Sequence, residues 1–225
     1  MAEKYNASNI AIDQILNFIK SGEIAIPEIQ RPFVWKPKQV RDLIDSLYTG
    51  YPTGYLIISQ SPNMKLKDGT LSEGKKIMID GQQRVTALMT AIMGMDVINS
   101  DFERKRIKIS FNPLAIDEDE VFKVQDNAIL KDKKWITDIA EVFKPDFKRG
   151  SFVTQYCESN TEMDSDKLHD ILDNLIAIKN RQIGVITLDK ELTIDEVTEI
   201  FIRINSQGAK LNQSDFAMSK IAANI

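Results

Sequence analysis

The chain has 225 residues, 43% hydrophobic and 28% charged, a make-up that suits a globular protein with a core of its own and excludes a disordered or fibrous one. Its 29 basic and 33 acidic side chains leave a net charge of −4, so no global positive field draws it onto nucleic acid, and any anion site must be local. One cysteine excludes an internal disulfide and fits a reducing cytoplasm, and one histidine excludes from this chain His-rich zinc sites, Ser-His-Asp triads and nuclease folds that need two histidines.

The N-terminus is broken by charges and lacks the apolar block of a signal peptide. No apolar run approaches the roughly 20 residues of a membrane-spanning helix. Ser8 is a candidate N-cap for a first helix with Ile12, Ile15, Leu16 and Ile19 on one face, stopped by Ser21-Gly22. Residues 24 to 35 hold two prolines and should run extended. Pro37 suits the first turn of the next helix, in which Val40, Leu43, Ile44 and Leu47 recur at helical spacing before Gly50. A buried strand is expected over 53–60 and, beyond a polar loop, another over 76–80. A helix with Val85, Leu88, Met89 and Ile92 apolar should follow and run to about Met95.

Residues 106–112 and 121–125 read as a strand pair across the acidic stretch IDEDE. Helices are expected over 136–143, 150–158 and 163–181, the last carrying His169 on an amphipathic, charged face that gives it no special chemistry. GVITLD, residues 184–189, is a further strand, and Thr193 with Glu196 forms a capping box that opens another helix. Gln207-Gly208 breaks the chain before a final helix over 213–223, which is still running where the sequence stops and suggests a piece of something longer. Strands scattered among helices point to an α+β fold, with a mixed sheet in the first half and a mainly helical second half.

The sharpest local feature is Asp80-Gly81-Gln82-Gln83-Arg84 between the strand 76–80 and the helix behind it. A helix start aims unpaired N–H groups and positive dipole at one point, and glycine there leaves room for an anion. Arg84 in the first helical turn opposes the dipole unless a negative group is present; with a phosphate, its fork and the backbone donors act on the same oxygens. The plainer alternative is a tight turn capped by Asp80 with Arg84 on the surface. Two further stretches have similar chemistry. One is Gln30-Arg31-Pro32-Phe33-Val34-Trp35; the other is FIRINSQGAKL over 201–211, with Arg203, Asn205, Gly208 and Lys210. Phe33 and Trp35 also suit a core, and Arg203, Asn205 and Gly208 also suit a surface cation, a C-cap and a helix terminator.

Together, Ile26 to Trp35 (I-P-x-x-Q-R-x-F-x-W), Asp80 to Arg84 and Phe201 to Leu211 (F-x-R-x-N-x-x-G-x-x-L) resemble the N-terminal domain of GmrSD-type restriction systems, in order and separation. The resemblance implies a core like that of the ParB and sulfiredoxin fold over 1–112, completed by 183–225. Residues 113–182 then form a mainly helical insertion of open role. It also implies an NTP-binding and NTP-hydrolysing regulatory domain of an anti-phage restriction system acting on modified DNA. In full-length relatives a His-containing C-terminal nuclease domain does the cutting.

Residue by residue, the resemblance makes Gly81 and the amides of Gln82 and Gln83 phosphate contacts, with Arg84 as a clamp. Asp80 is placed to hold Mg²⁺, and Gln82 or Gln83 to orient an attacking water. Gln30, Arg31, Arg203, Asn205, Gly208 and Lys210 are further candidates around the nucleotide. Two alternatives stand beside this reading. One is a non-enzymatic DNA-binding module that senses modified DNA. The other is a ParB-like nuclease, for which Asp80 has no second metal-binding acid beside it in sequence. A homodimer is compatible with the sequence, but no heptad seam demands it.

Overall fold

The computed structural model describes residues 4–26, 32–60, 76–99, 101–115 and 120–205. Among these the elements run β1 (Tyr5–Ala11), α1 (Ile12–Lys20), β2 (Ile24–Ala25), α2 (Pro37–Thr49), β3 (Tyr55–Ser59), β4 (Lys76–Asp80), α3 (Gln82–Ala91), β5 (Val97–Ile98), β6 (Arg104–Lys105), β7 (Ile109–Phe111), β8 (Phe122–Val124), α4 (Arg149–Ser159), α5 (Ser165–Ile176), β9 (Gln182–Leu188) and α6 (Ile194–Asn205). The fold is α+β with a mixed sheet, and the second half is mostly helical. None of the described helices is long and apolar enough to cross a membrane. The chain divides into two compact units, one from 1–32, 54–82 and 182–225, the other from 33–53 and 83–181.

The first unit is built on a five-stranded sheet in the order β1-β9-β3-β4-β2. Its β9–β3 and β4–β2 pairs are parallel, while β1–β9 and β3–β4 are antiparallel. The central strands form from short apolar runs in which β-branched Ile57, Ile58, Ile77 and Val185 stand with Leu56 and Met78, all of them buried. On one face Ile57 and Leu188 pack with Leu192 and Val197, joined by Ile79, Ile186 and Ile200, which docks α6 onto the sheet. The predicted capping box is present: Thr193 N–H donates to Glu196 Oε2 (2.9 Å), and Glu196 N–H donates to Thr193 Oγ1 (3.3 Å). Lys4 Nζ also donates to Glu196 Oε1 at 2.7 Å. The Lys4 hydrogen bond first, then those from Thr193, hold the Glu196 carboxyl down at about 2.

Ser8 is not an N-cap. Residues 5–11 pair one for one with 182–188, from Tyr5 opposite Leu188 to Ala11 opposite Gln182, so Ser8 is mid-strand opposite Val185. Helix α1 instead starts after Ala11, which offers no capping side chain. The predicted helical face survives, with Ile12, Ile15 and Leu16 buried.

In the second unit α2 starts at Pro37 and ends at Gly50, with Val40, Leu43, Ile44 and Leu47 buried. Arg181 closes its far end, donating from Nε to the Leu47 carbonyl (3.1 Å) and from Nη2 to that of Tyr48 (3.2 Å). The expected strand pair is β7 with β8, and their Phe111 and Phe122 rings lie 5.0 Å apart, with Tyr48 5.6 and 5.4 Å from them. Helix α3 ends earlier than its apolar spacing predicts. The Met95 N–H folds back to the Met89 carbonyl around Gly94, whose left-handed backbone (φ 69°) ends the helix in a way that the spacing alone does not reveal.

The helix expected over 136–143 does not form. Ile136 exchanges backbone hydrogen bonds with Phe111 (2.8 and 2.9 Å), and only a single 3-10 turn, Ile139–Glu141, follows. Pairing with β7 satisfies the Ile136 backbone and buries its side chain, and this tertiary gain overrides the apolar spacing. Helices α4 and α5 appear in the expected regions, although α5 gives way after Ile176 to a 3-10 segment, Ala177–Asn180; the two are tied by Arg149, which reaches Asp173 Oδ1 (2.7 Å) and the His169 carbonyl. His169 thus enters the fold through its backbone. The final helix expected over 213–223 lies outside the described residues.

Candidate functional site

Strand β4 ends at Asp80, which pairs with Ile57 of β3, and α3 begins at Gln82. The single residue between them, Gly81, is buried and has φ of 92°. That conformation is open to glycine and strained for any residue with a Cβ. One residue therefore turns the chain from sheet to helix, and it does so without a side chain over the helix start.

The first turn of α3 contains no acidic residue. Its leading N–H groups have no carbonyl partners inside the helix, and the helix dipole adds positive potential there. Arg84 adds a full charge to the same turn. Gln82, Gln83 and Arg84 are all half-buried, as is Asp80 at the end of the strand. The turn thus combines backbone donors, a guanidinium and a single carboxylate within five consecutive residues.

Gln83 has a job that its sequence position does not announce. Its Oε1 accepts the Val34 N–H at 2.9 Å, across 49 residues of chain. The neighbouring Phe33 N–H donates to the Ile98 carbonyl (2.8 Å), and Phe33 pairs with Asn99 in a bridge at the foot of the β5–β6 hairpin. Phe33 is buried and Trp35 half-buried, so both aromatics are packed. The end of the first sequence motif is therefore latched to the first turn of α3 through Gln83.

The arrangement of motifs has a counterpart in a known family. Residues 12–222 match the model of the GmrSD restriction endonuclease N-terminal domain. The chain belongs to that family. The chain is also 24% identical over 245 residues to an uncharacterized protein of Methanocaldococcus jannaschii, an alignment covering 92% of this chain and 41% of that relative. The GmrSD chain described here thus spans well under half of that relative's length.

The other predicted site residues of this GmrSD domain are distributed as follows. Arg203 is exposed on α6 and pairs with Glu199 one turn earlier, and Asn205 is the last residue of that helix. Gln30, Arg31, Gly208 and Lys210 lie outside the described residues. Among the described residues no group of three or more His, Cys, Asp or Glu side chains is arranged to hold a metal, and the turn supplies Asp80 alone. One feature beside the turn is invisible in sequence. The exposed Tyr55 ring of β3 leans over Gly184 of β9, a neighbour 129 residues away in the chain.

Proposed function

We propose that the Asp80–Arg84 turn binds the phosphates of a nucleoside triphosphate, and that the domain hydrolyses it as the regulatory part of a restriction system. The observation that carries this reading is Gly81. A buried glycine at φ 92°, set between the end of β4 and the start of α3, puts no side chain of its own over the helix start, the place where an anion is favoured. Family membership supplies the biological setting.

In this reading the backbone N–H groups of Gly81, Gln82 and Gln83 hold phosphate oxygens and Arg84 clamps them. Asp80 alone is too small a donor set for a resident metal, but it fits Mg²⁺ arriving with the nucleotide, because Mg²⁺ commonly takes one or two carboxylates plus substrate phosphates. Bound there, the ion would neutralise developing phosphate charge. Because the Gln83 Oε1 is engaged by Val34, Gln82 is assigned the water-orienting task. Water then attacks the γ-phosphorus, the bond to the β–γ bridging oxygen breaks, and nucleoside diphosphate and phosphate leave. DNA and a nuclease domain are the partners this reading gives the full-length protein, and a ParB-like core is the fold it implies.

An affinity near 100 μM requires about −5.5 kcal/mol. Charge-assisted hydrogen bonds contribute about 1.5–3 kcal/mol each, so a few from the helix start and Arg84 suffice once association entropy is subtracted. Millimolar NTP with Mg²⁺ should raise the melting temperature, and Arg84→Ala should abolish that rise while leaving the unliganded melt within a few degrees. Unchanged melting of the wild type at millimolar NTP, with no phosphate release, would refute the reading.

A further inference from the structure

We propose that Tyr55 is the platform on which the base of the bound nucleotide stacks, an assignment that rests on the phosphate reading above. Tyr55 opens β3, two residues before Ile57, and Ile57 is paired with Asp80. Two residues along β3 from that pair, Tyr55 lies about 7 Å beyond it, on the side where β4 ends and the chain turns into α3. Side chains alternate along a strand and directly opposed residues share a face. Tyr55, Ile57 and Asp80 therefore rise from the same face of the sheet, beside the turn.

The ring is a large aromatic surface left 59% exposed. It leans over Gly184, its parallel partner on β9. A Cβ at Gly184 would lie 2.4 Å from Tyr55 Cδ1 and 2.5 Å from Cε1, so the ring fills the place where any other residue would put its side chain. The glycine lets the aromatic lie against backbone, which fixes it from below and presents the rest of it outward. On the other side of Gly184, the residue of β1 on the same face is Asn9, exposed and uncharged. None of Tyr55, Gly184 and Asn9, the described residues in line across this part of the face, carries an ionised group. Such surroundings suit a neutral heteroaromatic base, while the charge is provided for at the turn.

Pairing of glycine with a cross-strand aromatic also shields backbone, so a purely structural Tyr55 is the competing account. The two accounts separate when base and phosphates are presented independently. The affinities of the wild-type chain, Tyr55→Ala and Tyr55→Phe are measured by calorimetry for a purine nucleoside triphosphate and for inorganic tripolyphosphate, both with Mg²⁺. Base–aromatic stacking removed by alanine substitution corresponds to a loss of about 5- to 140-fold. The expectation is that Tyr55→Ala loses that factor for the nucleotide and keeps its tripolyphosphate affinity, while Tyr55→Phe stays within about twofold of wild type for both. Equal wild-type affinity for the two ligands, or an equal change in both for Tyr55→Ala, overturns the stacking role and leaves the phosphate site standing. Failure of the wild type to bind either ligand removes the phosphate site and the platform together.

Discussion

Replacing Asp138 by alanine tests a buried charge of the second unit that is held by two partners. Its Oδ2 lies 2.6 Å from Arg106 Nη2, and its Oδ1 accepts the Ala140 N–H at 3.1 Å, opening the 3-10 turn. The Asp138 side chain is 8% exposed and that of Arg106 22%. On its other side the guanidinium is pressed against Gly94, where a Cβ would meet Nη2 at 2.9 Å. Asp138→Ala leaves a guanidinium largely out of water without its counter-charge. Breaking a buried pair from one side costs about 3–5 kcal/mol. Residual access of water to Arg106 argues for the lower end, and the lost cap adds about 0.5–1 kcal/mol. The expected loss of about 3–4 kcal/mol corresponds to a fall in melting temperature of roughly 6–16 °C for a chain of this size.

Urea unfolding of the wild type, Asp138→Ala, Arg106→Met and the Arg106→Met/Asp138→Leu double variant completes the test. The double variant leaves no buried charge and should recover most of the loss. A loss below about 1 kcal/mol for Asp138→Ala, or a double variant no more stable than it, would refute the argument. The pH dependence gives a second check. Burial raises the Asp138 carboxyl above its usual value by more than the Arg106 charge lowers it. A raised folded pKa favours the native state fully below the unfolded value and loses that contribution as pH climbs through the folded one. Relative to Asp138→Asn, the wild type should therefore lose ground as pH rises from about 4.

Glu196 has the opposite sign. Its folded carboxyl is held at about 2 against an ordinary 4.5, so its contribution is present above 4.5 and is lost as pH falls toward 2. Melting curves over that range should show Glu196→Gln less acid-sensitive than the wild type, and parallel curves would count against the Lys4–Glu196–Thr193 network. Arg181→Ala removes two donors from the last carbonyls of α2 and should cost about 1–2 kcal/mol, with faster amide exchange in that helix's final turns. Unchanged exchange there would show that the carbonyls do not depend on Arg181.

Much of the fold was legible because its signals are local. β4 and the start of α3 follow from an apolar run, a glycine and a change of period within a dozen residues. Pro37 and Gly50 bracket α2, and Thr193 with Glu196 opens α6, because prolines, terminal glycines and capping boxes act on the backbone beside them. The two departures also have a local form: Ser8 resembles a cap, and 136–143 carries helical spacing. In both places a distant strand supplied the backbone with other partners, residues 182–188 for β1 and Phe111 for Ile136. The β5–β6 hairpin leaves no mark in the sequence pattern, because two residues a side are too few to show alternation.

The candidate site divides in the same way. Sequence determined that Asp80, Gly81, Gln82, Gln83 and Arg84 occupy one strand-to-helix turn, since neighbours in the chain stay neighbours in space. Only the tertiary structure decided that Gln83 latches Val34, and that the Tyr55 ring rests on Gly184. The first contact spans 49 residues and the second 129, and each depends on which elements pack together and in what register. Residue spacing cannot encode such a choice, because pairing of distant segments is set by the summed packing of the whole unit.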